Sequence, residues 1–276
     1  MQEPDISQQA KQLYEEKDYA GAGALYHQLW DERGDAYPGS RYAHCLRKAG
    51  HPEAALKVAR QVAQVHPDDV YVRREIVWAL YDAEFKPARE RDDLGAMVQA
   101  GQQILELTDE KLPTRLVTFP VISLAKDKSR WRLVSEWCDQ LDSDQLSTEP
   151  REIGGRRVIS EREQWYFAKV KSLMKLERWS EARELGLEAK QAFPRKRDFA
   201  RWAALALAGE GDVTEAIAEL EALAEYGRPE WYLWHNLSEL EFQAGRVEDA
   251  FRTACRAALA RGEDKGKVGL YAFVGQ

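Results

Sequence analysis

The sequence predicts an all-α solenoid built from tandem helical hairpins. Three observations carry that prediction. Ala182, Ala216 and Ala250 recur at intervals of 34 residues, as do the turn residues Glu177, Gly211 and Gly245. Near the N-terminus Ala22 and Ala55 stand 33 apart in the same local context. Outside one short segment, no stretch alternates apolar and polar residues over the length of a strand, so the 3.6-residue period dominates.

Each unit has one plan: an amphipathic helix, a turn, a second helix led by a small residue, and a break. Residues 3–69 hold two such units, in "EEKDYAGAGALYHQLW" and "KAGHPEAALKVARQVAQVHP". The alanines mark where two helices approach closely, since a larger side chain would push them apart. Gly50, Gly211 and Gly245 suit left-handed caps that end a first helix. Pro52 fits a first helical position, and Pro67 and Pro194 close their units because proline cannot continue a helix.

Residues 70–145 read as two degenerate helical pairs. "DDVYVRREIVWALYDAE" is a first helix, after which "FKPARERDD" is expected as a charged loop before "LGAMVQAGQQILEL". The next pair is "KLPTRLVTFPVISLAKD", kinked at Pro120, and "SRWRLVSEWCDQL". Residues 146–162 are an insertion, with strand-like residues around Gly154-Gly155 predicting a tight β-hairpin near 151–159. Ser160 with Glu163, and Asp212 with Glu215, read as capping boxes. Residues 163–264 hold three further units, and residues 265–276 begin another helix. An array that stops there looks unfinished, so a longer parent protein is expected.

Those intervals, the small residues and the closing prolines resemble the tetratricopeptide (TPR) family. In the last full unit Trp234, Leu237, Ser238, Ala250 and Ala257 match its pattern, with Gly262 where proline is expected; in the second unit Ala43, Gly50, Ala55 and Pro67 match, but Gly39 replaces an aromatic. The resemblance implies a right-handed α-solenoid whose first helices line a concave groove. It places Lys11, Tyr14, Tyr37, Ser40, His44, Arg47, Lys48, Tyr71, Arg74, Trp78 and Tyr81 in that groove. Aromatics interleaved with cations suit an extended acidic peptide: rings supply contact area at low entropic cost, and arginines hold carboxylates bidentately. The chaperone-type carboxylate clamp is not reproduced, because its asparagines are missing and Ser7 and Arg41 stand at positions that would have to match. The expected function is a scaffold or adaptor for a protein or peptide partner.

Composition limits the other readings. With 40 basic and 47 acidic residues the net charge is -7, which disfavours indiscriminate binding to nucleic acid or anionic lipid. Residues 151–178 run against this trend, with eight cations against four acids. Arg151, Arg156, Arg157, Lys171 and Lys175 form the candidate basic patch, which makes a nucleic-acid-binding accessory subunit the alternative function. "PREIGGRRVISEREQWYFAKVKSLMKLERW" with "RGEDKGKVGLY" also resembles a group of bacterial TPR proteins found beside nucleic-acid-processing or anti-phage systems. Self-association through the unfinished C-terminal helices is a third expectation.

Catalytic and metal signals are thin. Cys45, Cys138 and Cys255 are distant and odd in number, which predicts a reduced, cytoplasmic chain without a disulfide framework or zinc site. His44, His51 and His66 share one thirty-residue stretch but do not share a helix face, so no metal is expected. "GEDKGK" from Gly262 is one residue short of a phosphate loop and lacks its hydroxyl. The most apolar run, "LVTFPVISLA", is too short to span a bilayer. No cofactor, no membrane contact and no enzymatic activity are expected.

Overall fold

The computed structural model describes residues 5–225 and 230–275. The chain divides into two compact units, Met1–Ser129 and Arg130–Gln276. The division falls inside the stretch expected to hold the second degenerate pair.

The first unit opens with helices α1 (Ile6–Glu15), α2 (Tyr19–Arg33), α3 (Ala36–Lys48) and α4 (Pro52–Val65). Each packs on the next, and α3 also packs on α5 (Val70–Leu80), which is the contact pattern of tandem hairpins. Ala22 and Ala55 are fully buried, as their spacing predicts, and so is Ala43. Aspartates open the helices: Asp18 accepts from the Gly21 amide, Asp69 from Tyr71 and Val72, and Asp93 from Ala96. The turn position is left-handed whether or not glycine occupies it. Gly50 has φ +88, but Lys17 has φ 64 in the first unit and Glu177 φ 57 in the second, a conformation that costs a non-glycine residue roughly 1–2 kcal/mol.

Gly39 explains its own departure from the repeat pattern. A Cβ there would lie 2.5 Å from Val62 Cγ2 and 2.8 Å from Trp30 Cε3, so the indole of Trp30 already fills the space in front of it. Gly39→Ala is therefore expected to destabilise the protein by about 1–2 kcal/mol, overpacking outweighing the better helix propensity of alanine. A thermal melt that leaves the midpoint unchanged or raised would contradict this account.

The charged loop expected after residue 84 is shortened to a turn at residues 91–93. The helix runs on through a π-helical turn at Tyr81–Phe85 into α6 (Lys86–Glu90), with the Lys86 amide donating to the Tyr81 carbonyl five residues back. Pro87 has no amide to donate, and a turn already wound wider than α accommodates that loss. Then α7 (Leu94–Leu107) packs on α8 (Lys111–Asp127), which continues through Pro120.

The second unit contains α9 (Trp131–Cys138), strands β1 (Arg151–Ile153) and β2 (Arg156–Val158), and three hairpins. These are α10 (Glu161–Lys175) with α11 (Trp179–Ala192), α12 (Arg197–Glu210) with α13 (Val213–Glu225), and α14 (Trp231–Gln243) with α15 (Val247–Leu259). The β-hairpin is antiparallel, pairing Arg151 with Val158 across Gly154 and Gly155, both at positive φ as a two-residue primed turn requires. Both capping boxes form at their serine or aspartate. A final helix, α16 (Val268–Val274), buries Leu270 against Ala254 and Ala257 of α15.

Candidate partner-binding face

In the first unit α1, α3 and α5 are successive first helices, and a chain of polar side chains joins all three. The Tyr14 hydroxyl lies 3.0 Å from His44 Nε2, and His44 Nδ1 lies 3.0 Å from Glu75 Oε2. Arg47 donates from Nε to Glu75 Oε1 at 2.7 Å and from Nη1 to Asp82 Oδ2 at 3.1 Å. A carboxylate only accepts, so Nδ1 carries the proton facing Glu75, and in the neutral ring Nε2 accepts from Tyr14. Arg47 Nη2, 3.3 Å from Nδ1, then stands beside a fellow donor that serves the same carboxylate.

Glu75 is 7% exposed and holds this network together. Burial pushes its pKa up, but the hydrogen bonds from His44 and Arg47, with the charge behind them, outweigh burial and leave it below the ordinary carboxylate value. The consequence for recognition is direct. Arg47 and His44, both expected to face a ligand, spend their donors inside the protein.

The remaining predicted residues divide by exposure. Tyr37 is 52% and Tyr71 72% exposed, the profile of rings available to a partner. Trp78 and Tyr81 are half-buried and meet edge to face at 6.1 Å, with Tyr81 stacked on Phe85 at the π-helical turn. Arg74 stands 3.7 Å from Glu110, both well exposed, a pairing weak enough for a ligand to displace. Lys48 is exposed and pairs with no acid among the described residues. Lys11 pairs loosely with Glu15 at 3.9 Å, and Ser40 is buried, its hydroxyl donating to the Tyr37 carbonyl. Arg41, outside the predicted set, lies over two rings of this face: its guanidinium carbon is 4.8 Å from the Tyr14 centroid and 5.2 Å from that of Tyr37.

Four of the eight cations in the basic run of the second unit are neutralised by acidic neighbours. Arg151 reaches Glu161 at 2.9 Å, tying the hairpin to α10. Arg162 meets Asp144, and Arg178 meets Glu181. Lys169 is buried and donates to both oxygens of Asp139 and to the carbonyl and hydroxyl of Ser135. Lys171 lies 5.5 Å from the Trp131 ring, while Arg157 and Lys175 are exposed. The side chain of Arg156 lies outside the described residues.

The short phosphate-loop-like run has a structural task. Lys267 is buried and donates to the carbonyls of Ala258 and Ala260, closing the end of α15, and Gly262 sits against the Trp231 ring. Cys45 is fully buried, and burial pushes its thiol up to about 11, so it stays protonated and inert as a small core residue. Among the described residues no group of three or more His, Cys, Asp or Glu side chains is placed to hold a metal ion, and no helix is long and apolar enough to cross a membrane.

Residues 13–74 match the profile of the tetratricopeptide repeat. No curated protein matches the sequence. Among solved structures, that of Naa15/Naa10 bound to HypK is similar at 13% identity and a TM-score of 0.58, over 94% of this chain and 36% of that one. A tetratricopeptide repeat protein from Parabacteroides merdae is similar at 9% identity and a TM-score of 0.44, over 98% of each chain. YrrB, described as a TPR protein with an unusual peptide-binding site, is similar at 13% identity and a TM-score of 0.43, over 84% of this chain and 90% of its own. At these identities the likeness concerns the fold alone.

Proposed function

We propose that this tetratricopeptide-repeat chain is a non-catalytic scaffold that holds an extended segment of a protein partner against α1, α3 and α5. Stacked repeats expose one long continuous face, suited to an extended chain rather than to a small molecule. The observation that carries the reading is the pair of well-exposed tyrosines, Tyr37 and Tyr71, on successive first helices. Tyr37 meets the buried Tyr26 edge to face, yet both rings keep half or more of their surface in water, and at an interface such rings give area with little entropy to lose. The polar chain from Tyr14 to Asp82 fixes the spacing of the three helices and so pre-organises the surface. Trp78 and Tyr81 border it as apolar anchors.

The test is affinity recovery from cells that make the protein, with and without nuclease, comparing wild type with a Tyr71→Ala, Trp78→Ala double variant of unchanged melting temperature. A defined protein should survive nuclease and bind the variant at least about 30-fold more weakly, as truncating two aromatic anchors implies. Unchanged recovery by a folded variant overturns the assignment of this face. Recovery that vanishes with nuclease moves the site to Arg157 and Lys175.

A further inference from the structure

Arg41 follows Tyr37 by one turn of α3, so the two side chains rise from the same helix face. The guanidinium is held over the Tyr37 ring of its own helix and the Tyr14 ring of α1. Among the described residues no carboxylate pairs with it; the groups acting on its charge are the phenols of Tyr37, Tyr14 and Tyr26. This separates it from the other arginines of the face. Arg47 is satisfied by Glu75 and Asp82, and Arg74 stands near Glu110.

A guanidinium has five donors in a fixed fork; the Tyr37 hydroxyl accepts from it, and stacking on ring faces uses none of the remaining donors. The rings instead restrict the side chain to one orientation, which removes the rotameric cost that a free surface arginine meets on binding. The chain is acidic overall, yet here a cation is left without an acid, in reach of two aromatic anchors.

We infer that Arg41 reads a carboxylate on the bound segment, an acidic side chain or a terminal carboxylate flanked by apolar residues. This rests on the reading of the face as partner-binding. One unmatched guanidinium fits a monoanion. A phosphate dianion calls for a second cation at the fork; Arg47 is already neutralised, and Lys48 stands about two helical turns further along α3. Tyr14 and Tyr37 position the fork, and the ligand's apolar neighbours meet Tyr37 and Tyr71.

The experiment follows the Nε–Hε signals of isotopically labelled protein during titration with three small probes. These are acetyl-Leu-Glu-Phe-amide, its glutamine counterpart acetyl-Leu-Gln-Phe-amide, and acetyl-Leu-Gln-Phe with a free C-terminus. The Arg41 signal, identified by its loss in Arg41→Lys, should move saturably with the glutamate peptide, with the free-acid peptide, or with both, and stay still with the amidated glutamine peptide. The first two arms tell a side-chain carboxylate from a terminal one. Binding should fall about 10- to 100-fold in Arg41→Gln, the loss expected for a charge-assisted hydrogen bond. Should that variant not fold, Arg41→Lys serves instead, keeping the charge and losing the fork. If all three peptides leave the Arg41 signal unmoved, or move it alike, the inference is wrong. The ring signals of Tyr71 and Trp78 then decide the rest: shifts there leave the face standing as a binding surface, and silence removes it too.

Discussion

Replacing Glu75 by leucine should destabilise the first unit by about 3 kcal/mol, because it leaves Arg47 and the Nδ1 proton of His44 without their shared acceptor in a largely buried site. Asp82 still holds one arm of Arg47, which keeps the loss at the lower end of the range for broken buried pairs. The sharper expectation concerns the double variant Arg47→Met, Glu75→Leu. With both charges gone no deeply buried charge is stranded; only the His44 Nδ1 proton and the partly exposed Asp82 lose a partner, and much of the stability should return. Hydrogen exchange read on peptides from α3 and α5 isolates this unit from the other, which a global melt does not. A single variant as protected as wild type would show that the network contributes nothing.

The same carboxylate predicts an acid dependence. Its pKa is lowered in the folded state, so it contributes stability that is complete above the ordinary glutamate range. That contribution is lost as pH falls through this range towards the lower folded value. The protection of α3 and α5 should therefore decline as the medium is acidified below pH ~4.3, the unperturbed glutamate value. In the Glu75→Leu variant that share of the decline should be missing.

How far the sequence alone reaches differs between scaffold and face. The repeat interval is a property of backbone packing: Ala182 and Ala216 are fully buried and Ala250 nearly so because two helices touch there, and that constraint repeats wherever a hairpin repeats. Periodicity could not reveal the π-helical turn at Tyr81–Phe85. "FKPARERDD" has the composition of a loop, yet its first six residues are helical, with Phe85 and Ala88 fully buried, and only residues 91–93 form a turn. For the proposed face, position within the repeat groups residues on one side but says nothing of how they spend their charges. The repeat pattern assigns both Arg47 and Arg74 to the groove. What separates them is Glu75, a glutamate next to an arginine in sequence and indistinguishable there from any solvated acid. Arg41 appears in the sequence only as a departure from the carboxylate clamp, outside the groove positions of the repeat; its spacing of four from Tyr37 is the one signal of its place over that ring.

Phe199→Ala is expected to cost the second unit about 3–5 kcal/mol, the range for truncating a fully buried aromatic. The ring stands where three successive helices meet. It lies 4.6 Å from Phe167 and 6.0 Å from Tyr166 of α10, 6.2 Å from Phe193 at the end of α11, and 6.2 Å from Trp202 on its own helix. Collapse into the space is resisted, because rigid rings line it and Tyr166 is held by its hydroxyl, which donates to Glu188 at 2.5 Å. Burial, joined by that hydrogen bond, pushes the Tyr166 phenol up to about 12, so the donor persists across the neutral range. Neighbours that cannot move leave a cavity close to the full volume of the lost ring, and the penalty grows with that volume. Phe199→Leu, which fills most of the space, should cost far less, and the difference between the two variants measures the packing itself. Chemical denaturation followed by the near-ultraviolet aromatic signal of this cluster is the direct measurement. Equal losses for alanine and leucine would mean that α10 and α12 close over the gap, and the cluster would then be filling space without fixing the hairpins' spacing.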